Sequence, residues 1–116
     1  MTESLTFLHT ADLHLGAPFR GLAKVSPAWA ARLVQAIAEA FDRVIDTAVS
    51  RKVDFVVISG DVFDASRASY GDYLRFFEGM RTLGKAGIPV YLITGNHDPY
   101  TSWQQSTFSL PENVHM

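Results

Sequence analysis

Three short apolar runs, Leu5–His9, Phe55–Ile58 and Val90–Ile93, each give way to a polar cluster: Asp12-Leu13-His14, Gly60-Asp61-Val62-Phe63-Asp64 and Gly95-Asn96-His97-Asp98. The runs read as β-strands. The second and third are continuous in apolar character and rich in β-branched residues, which predicts central strands buried on both faces of a parallel sheet. Between the runs the periodicity becomes helical. Ser26-Pro27 supplies an N-cap followed by proline at the first helical position, after which Leu33, Ile37, Phe41, Val44, Ile45 and Ala48 fall at helical spacing. A second helix is predicted from about Ser69 to Lys85, with Tyr73, Phe76, Phe77, Met80 and Leu83 on its buried side and Gly87-Ile88-Pro89 closing it. The predicted class is α/β, a parallel β-α-β-α-β arrangement with right-handed crossovers, whose ligand sites lie just beyond the carboxyl ends of the strands.

Composition narrows what such a site can do. The 116 residues make one domain at most, and 47% hydrophobic against 19% charged residues excludes disorder for most of the chain. A formal charge of −2 argues against gripping nucleic acid by charge alone, so any polyanion contact must be local or metal-assisted. The absence of cysteine excludes disulfides, thiolate zinc sites and a cysteine nucleophile. Met1-Thr2-Glu3-Ser4 lacks the basic start of a signal peptide, and no stretch approaches the ~20 apolar residues of a membrane span, so a cytoplasmic protein with no membrane contact is expected. After Pro99 the pattern is lost: Thr101–Thr107 is polar, and Asn113–Met116 carries no assignable element or role.

In a parallel sheet the three polar clusters emerge at one edge, so Asp12, His14, Asp61, Asn96 and His97 can converge although they are distant in sequence. Carboxylate, imidazole and amide donors without thiol suit Mn²⁺, Fe²⁺ or Zn²⁺. Asp12 and His14 are separated by one residue, and in extended backbone that spacing sends both side chains the same way, toward a shared ion. A carboxylate such as Asp61 can bridge two ions ~3.5–4 Å apart, an arrangement that polarises phosphoryl oxygens and lowers the pKa of a bridging water. Gly60 and Gly95 let the backbone turn sharply between strand end and donor. Each cluster alone reads more readily as an ordinary polar turn or loop; joint placement after three strands is what points to a metal site. His9, at a strand end, reads as structural or as support for a donor. Arg20, Lys24, Arg43, Arg75 and Arg81 read as surface charge.

The motifs D-x-H (Asp12, His14), G-D-x-x-D (Gly60, Asp61, Asp64) and G-N-H-D (Gly95 to Asp98) resemble those of the calcineurin-like metallophosphoesterases over nearly the whole chain. His9-Thr10-Ala11-Asp12-Leu13-His14-Leu15-Gly16 is similar to the DNA-repair exonuclease branch that includes the SbcD and YhaO types, and Ala17–Leu22 leans toward the YhaO type. The resemblance implies two divalent metal ions, Mn²⁺ foremost, with Asp12 and His14 on the first, Asp61 bridging and Asn96 on the second. It implies a catalytic His97 at the leaving oxygen, oriented by Asp98, and phosphodiester hydrolysis by a DNA exonuclease in DNA repair. DNA, a second copy of the chain and an ATPase of the SMC type are the implied partners. The family also draws metal ligands from a later Gly-His-x-His segment that this sequence lacks. Residues 1–116 are therefore expected to be the N-terminal part of a metallophosphoesterase domain, one apparently truncated half of its sandwich, with weak metal affinity and little activity alone. The alternatives are a metallophosphoesterase of cyclic nucleotides, nucleotide pyrophosphates or phosphoproteins, and a metal-free binding module acting through an exposed sheet edge or Trp103 and Phe108.

Overall fold

The computed structural model describes residues 4–16, 19–63, 69–93 and 110–116. Four parallel strands, β1 (Phe7–Thr10), β2 (Phe55–Ser59), β3 (Val90–Ile93) and β4 (Val114–His115), form one sheet in the order β1-β2-β3-β4. Three helices occupy the connections: α1 (Arg20–Val25), α2 (Pro27–Ser50) and α3 (Tyr70–Lys85). The predicted order is present, with two additions, the six-residue α1 and the two-residue β4.

Local chemistry sets the helix starts. The Trp29 N–H donates to Ser26 Oγ at 3.4 Å, and Pro27, which has no N–H to satisfy, takes the first helical position of α2. At α3 the Asp72 N–H donates to Ser69 Oγ (3.2 Å) while the Ser69 N–H donates to Asp72 Oδ2 (2.7 Å), a reciprocal capping box. The two helices bury Ala30, Phe41, Ile45 and Ala48 from α2, and Phe76, Phe77, Gly79, Met80 and Leu83 from α3. These side chains form one core with Val56, Ile58, Val90, Leu92 and Val114 of the sheet. Leu33, expected on the buried stripe, is 37% exposed, and Tyr73 packs only partly buried against the core.

The expectation that β2 and β3 are buried on both faces is corrected. Both are central in the sheet, yet burial alternates along them, with Val56, Ile58, Val90 and Leu92 buried but Tyr91 47% and Ile93 60% exposed. Topology explains this: strands placed in sequence order and joined by crossovers of one hand receive every helix on one face. On the other face, rings run across the sheet from Phe7 to Phe55 (centroids 5.1 Å apart), Tyr91 (6.0 Å) and His115 (5.4 Å). Among the described residues nothing covers them.

β4 has no counterpart in the apolar pattern because two residues are too few to show a period. It is fixed by Asn113, whose Nδ2 donates to the carbonyls of Met80 (3.2 Å) and Ile88 (3.1 Å) and whose own carbonyl accepts from the Val90 N–H at 2.8 Å.

Candidate metal centre

Beyond the last β1–β2 pair, Thr10 with Ile58, the two chains continue side by side. The Asp12 N–H donates to the Gly60 carbonyl (3.2 Å), the His14 N–H to that of Asp61 (2.9 Å) and the Leu15 N–H to that of Val62 (2.8 Å). Leu15, 1% exposed, anchors the first segment in the core and bridges to Phe63 of the second. The donors therefore stand on a short ladder that extends the sheet past its carboxyl edge.

The conformation on that ladder is not the extended one expected from the Asp12-x-His14 spacing. Asp12, His14 and Asp61 all adopt left-handed backbone, with φ of 54°, 49° and 52°, and Gly60 sits at 81°. Left-handed backbone costs an L-residue roughly 1–2 kcal/mol and persists only where the surroundings hold it; here the bonds from Asp12, His14 and Leu15 to three successive carbonyls do so. Gly60 meets its positive φ without a Cβ penalty. The consequence is convergence by another route. Asp12, His14 and Asp61 each offer one donor atom, and these atoms all lie within 4.8 Å of one another. His14 Nε2 and Asp12 Oδ1 are 3.9 Å apart, with side chains 34% and 67% exposed. Two carboxylates and an imidazole at the solvent boundary are hard and borderline donors that fit a divalent cation such as Mn²⁺, Fe²⁺ or Zn²⁺ and keep access for a substrate.

Three of the sequence-predicted residues are thus brought together. Asn96, His97 and Asp98, with Asp64 and Gly95, lie outside the described residues. Among the described residues no second group of three such donors assembles. His9 is not in the donor group; its Nε2 lies 2.7 Å from Ser59 Oγ. Ser59 carries no motif, and only the inter-strand register could have pointed to it.

The sequence profile of calcineurin-like phosphoesterases matches residues 5–115. The chain belongs to this family. Calcineurin-like phosphoesterases use divalent metals, in keeping with the donor set assembled by β1 and β2. Over 116 residues the chain is 37% identical to the uncharacterized metallophosphoesterase YhaO of Bacillus subtilis, covering 100% of this chain and 28% of that protein. It is 35% identical over 105 residues to the DNA double-strand break repair protein Mre11 of Aeropyrum pernix, covering 90% of this chain and 24% of that one. It is 30% identical over 95 residues to the SbcD component of the SbcCD nuclease of Bacillus subtilis, covering 81% and 22%. The chain thus spans about a quarter of the length of the curated relatives it matches. Among its described residues no helix is long and apolar enough to cross a membrane.

Proposed function

We propose that residues 1–116 form the N-terminal part of a two-metal phosphodiesterase domain acting on DNA, an exonuclease of DNA repair. The observation that carries this reading is the convergence of Asp12, His14 and Asp61, with donor atoms within 4.8 Å of one another, at the carboxyl edge of a calcineurin-like phosphoesterase sheet. The nuclease and repair relatives support DNA as the substrate over other phosphoesters.

In this reading Asp12, His14 and Asp61, together with Asn96, are the residues that would hold the pair of divalent ions. The ions, Mn²⁺ foremost, supply polarisation of the phosphoryl oxygens and a lowered pKa for a coordinated water. His97 would serve the leaving oxygen as proton donor or charge stabiliser, a role in which Asp98 would support it. With a chain charge of −2, the ions also supply the positive potential that holds a phosphate backbone. A second copy of the chain and an SMC-type ATPase are the partners that fit a repair nuclease, and the cytoplasm is its compartment.

The test compares hydrolysis of linear DNA, a cyclic nucleotide and a phosphopeptide by the full-length protein with Mn²⁺ and after chelation. Metal-dependent DNA cleavage, reduced at least 100-fold by Asp61→Asn, is expected. Cleavage of only the cyclic nucleotide or the phosphopeptide would move the enzyme to another substrate class. Inertness toward Mn²⁺ would leave a binding module.

A further inference from the structure

The left-handed donors raise the question of what fixes Asp61 in height against Asp12 and His14. Register pairing between β1 and β2 ends at Thr10 and Ile58, and beyond it a main-chain bond joins Asp12 to Gly60. Ser59 lies between these two points. It pairs with Ile93 of β3 on its other side, but toward β1 it has no register partner. His9 adds a side-chain tie at this level. In register His9 faces Val57, yet its imidazole leans along the strands to place Nε2 2.7 Å from Ser59 Oγ. Either tautomer preserves the tie, since the hydroxyl can donate or accept.

We infer that His9 and Ser59 form a positioning pair: their hydrogen bond fixes the start of the Ser59-Gly60-Asp61 turn against β1, and divalent-ion affinity depends on it although neither side chain belongs to the donor group. The inference rests on the reading of Asp12, His14 and Asp61 as ligands. Ser59 directly precedes Gly60, at φ 81°, and Asp61, at φ 52°, where the chain departs from regular strand geometry. A shift at Ser59 is therefore passed to this turn and to the Asp61 carboxylate it carries, working against the bonds from the Asp12 and His14 N–H groups to the Gly60 and Asp61 carbonyls. Both partners are exposed on the open sheet face, so the bond contributes little to global stability. Its effect belongs to the alignment of one carboxylate.

The probe is Mn²⁺ alone, with affinity read from the electron paramagnetic resonance of the free ion in titrations of the full-length protein. His9→Ala and Ser59→Ala are each expected to weaken binding on the order of tenfold. The double variant should lose no more than either single, because all three lack the same bond. His9→Gln, whose amide reaches a similar place, should return affinity to within about threefold of wild type, and melting in chelator should be nearly unchanged. Wild-type affinity in both alanine variants, multiplied losses in the double, or losses that track a lower metal-free melting temperature would each overturn the pair. Should His9→Ala fail to fold, Ser59→Ala and His9→Gln carry the same comparison. A wild-type protein that takes up no Mn²⁺ would instead strike the ligand reading itself and the pair with it, an outcome distinct from normal wild-type binding with unaffected variants.

Discussion

The two ends of the β1–β2 unit are built on opposite terms. Under the sheet, Phe41, Phe76, Phe77, Met80 and Leu83 are at most 1% exposed and sit on helices with capped starts. Past the carboxyl edge, a few residues include three non-glycine positions in left-handed backbone, and the side chains of Asp12 and His14 stand in or near solvent. Under the sheet, capping and apolar spacing agree with the fold; on the ladder, local preference is overridden to bring donors together. Such a division is expected when a rigid scaffold carries a strained functional site. It also separates what substitutions do: in the core they should cost stability, and on the ladder they should cost binding.

The largest effect tests the packed side. Phe76 is fully buried, with ring centroids 5.8 Å from Phe41, 5.3 Å from Phe63 and 5.6 Å from Phe77. Phe76→Ala is expected to lower unfolding free energy by about 3–5 kcal/mol, read from urea denaturation. A loss below about 1 kcal/mol would mean that the helix layer is no better ordered than the ladder.

A smaller effect probes how closely α2 and α3 approach. A Cβ on Gly79 would lie 2.7 Å from Phe41 Cζ and 3.1 Å from Ile45 Cγ1. Alanine in a helix gains about 1 kcal/mol over glycine by propensity, but overpacking a core costs about 1–3 kcal/mol. Phe41 is 1% exposed and rests against Phe76, so its ring has nowhere to move. Overpacking wins, and Gly79→Ala should destabilise by about 1 kcal/mol by the same measurement. A stabilised variant would show the helix seam to be looser than its distances.

The contrast also explains what could be seen in the sequence. Helices α2 and α3 were legible because Ser26-Pro27 and Ser69 mark their starts and apolar residues repeat at helical spacing. The donors Asp12, His14 and Asp61 were legible because each follows a strand directly. One-sided burial of β2 and β3 was not, since Phe55-Val56-Val57-Ile58 reads the same whether one face or two is covered, and strand order decides which. The left-handed donors were hidden for a related reason. Asp12-Leu13-His14 says nothing of φ, which is imposed by hydrogen bonds to Gly60 and Asp61, about fifty residues away. Asn113 and Ser59 likewise owe their roles to neighbours that only the folded chain supplies.

The smallest effect is the one that separates the two regions by sign. Asp12 has a φ of 54° and a side chain 67% exposed, and His14 Nε2 lies 3.9 Å from its carboxylate, a separation that contributes little in solvent. Asp12→Gly relieves a backbone penalty of about 1 kcal/mol, at the low end because aspartate tolerates this region. Glycine returns roughly 0.5–1 kcal/mol through the freer unfolded chain. In chelator the variant should therefore match wild type or exceed it by no more than about 0.5 kcal/mol. Asp12→Val is the control, since a β-branched residue at positive φ must destabilise. With Mn²⁺ at about 100 times its dissociation constant, wild type should gain about 2.7 kcal/mol by linkage, and Asp12→Gly, lacking a ligand, should gain far less. The order of the two melting temperatures then reverses on adding metal. If Asp12→Gly melts well below wild type in chelator, the aspartate is supporting the fold and the ladder is not a place where stability has been given up for binding.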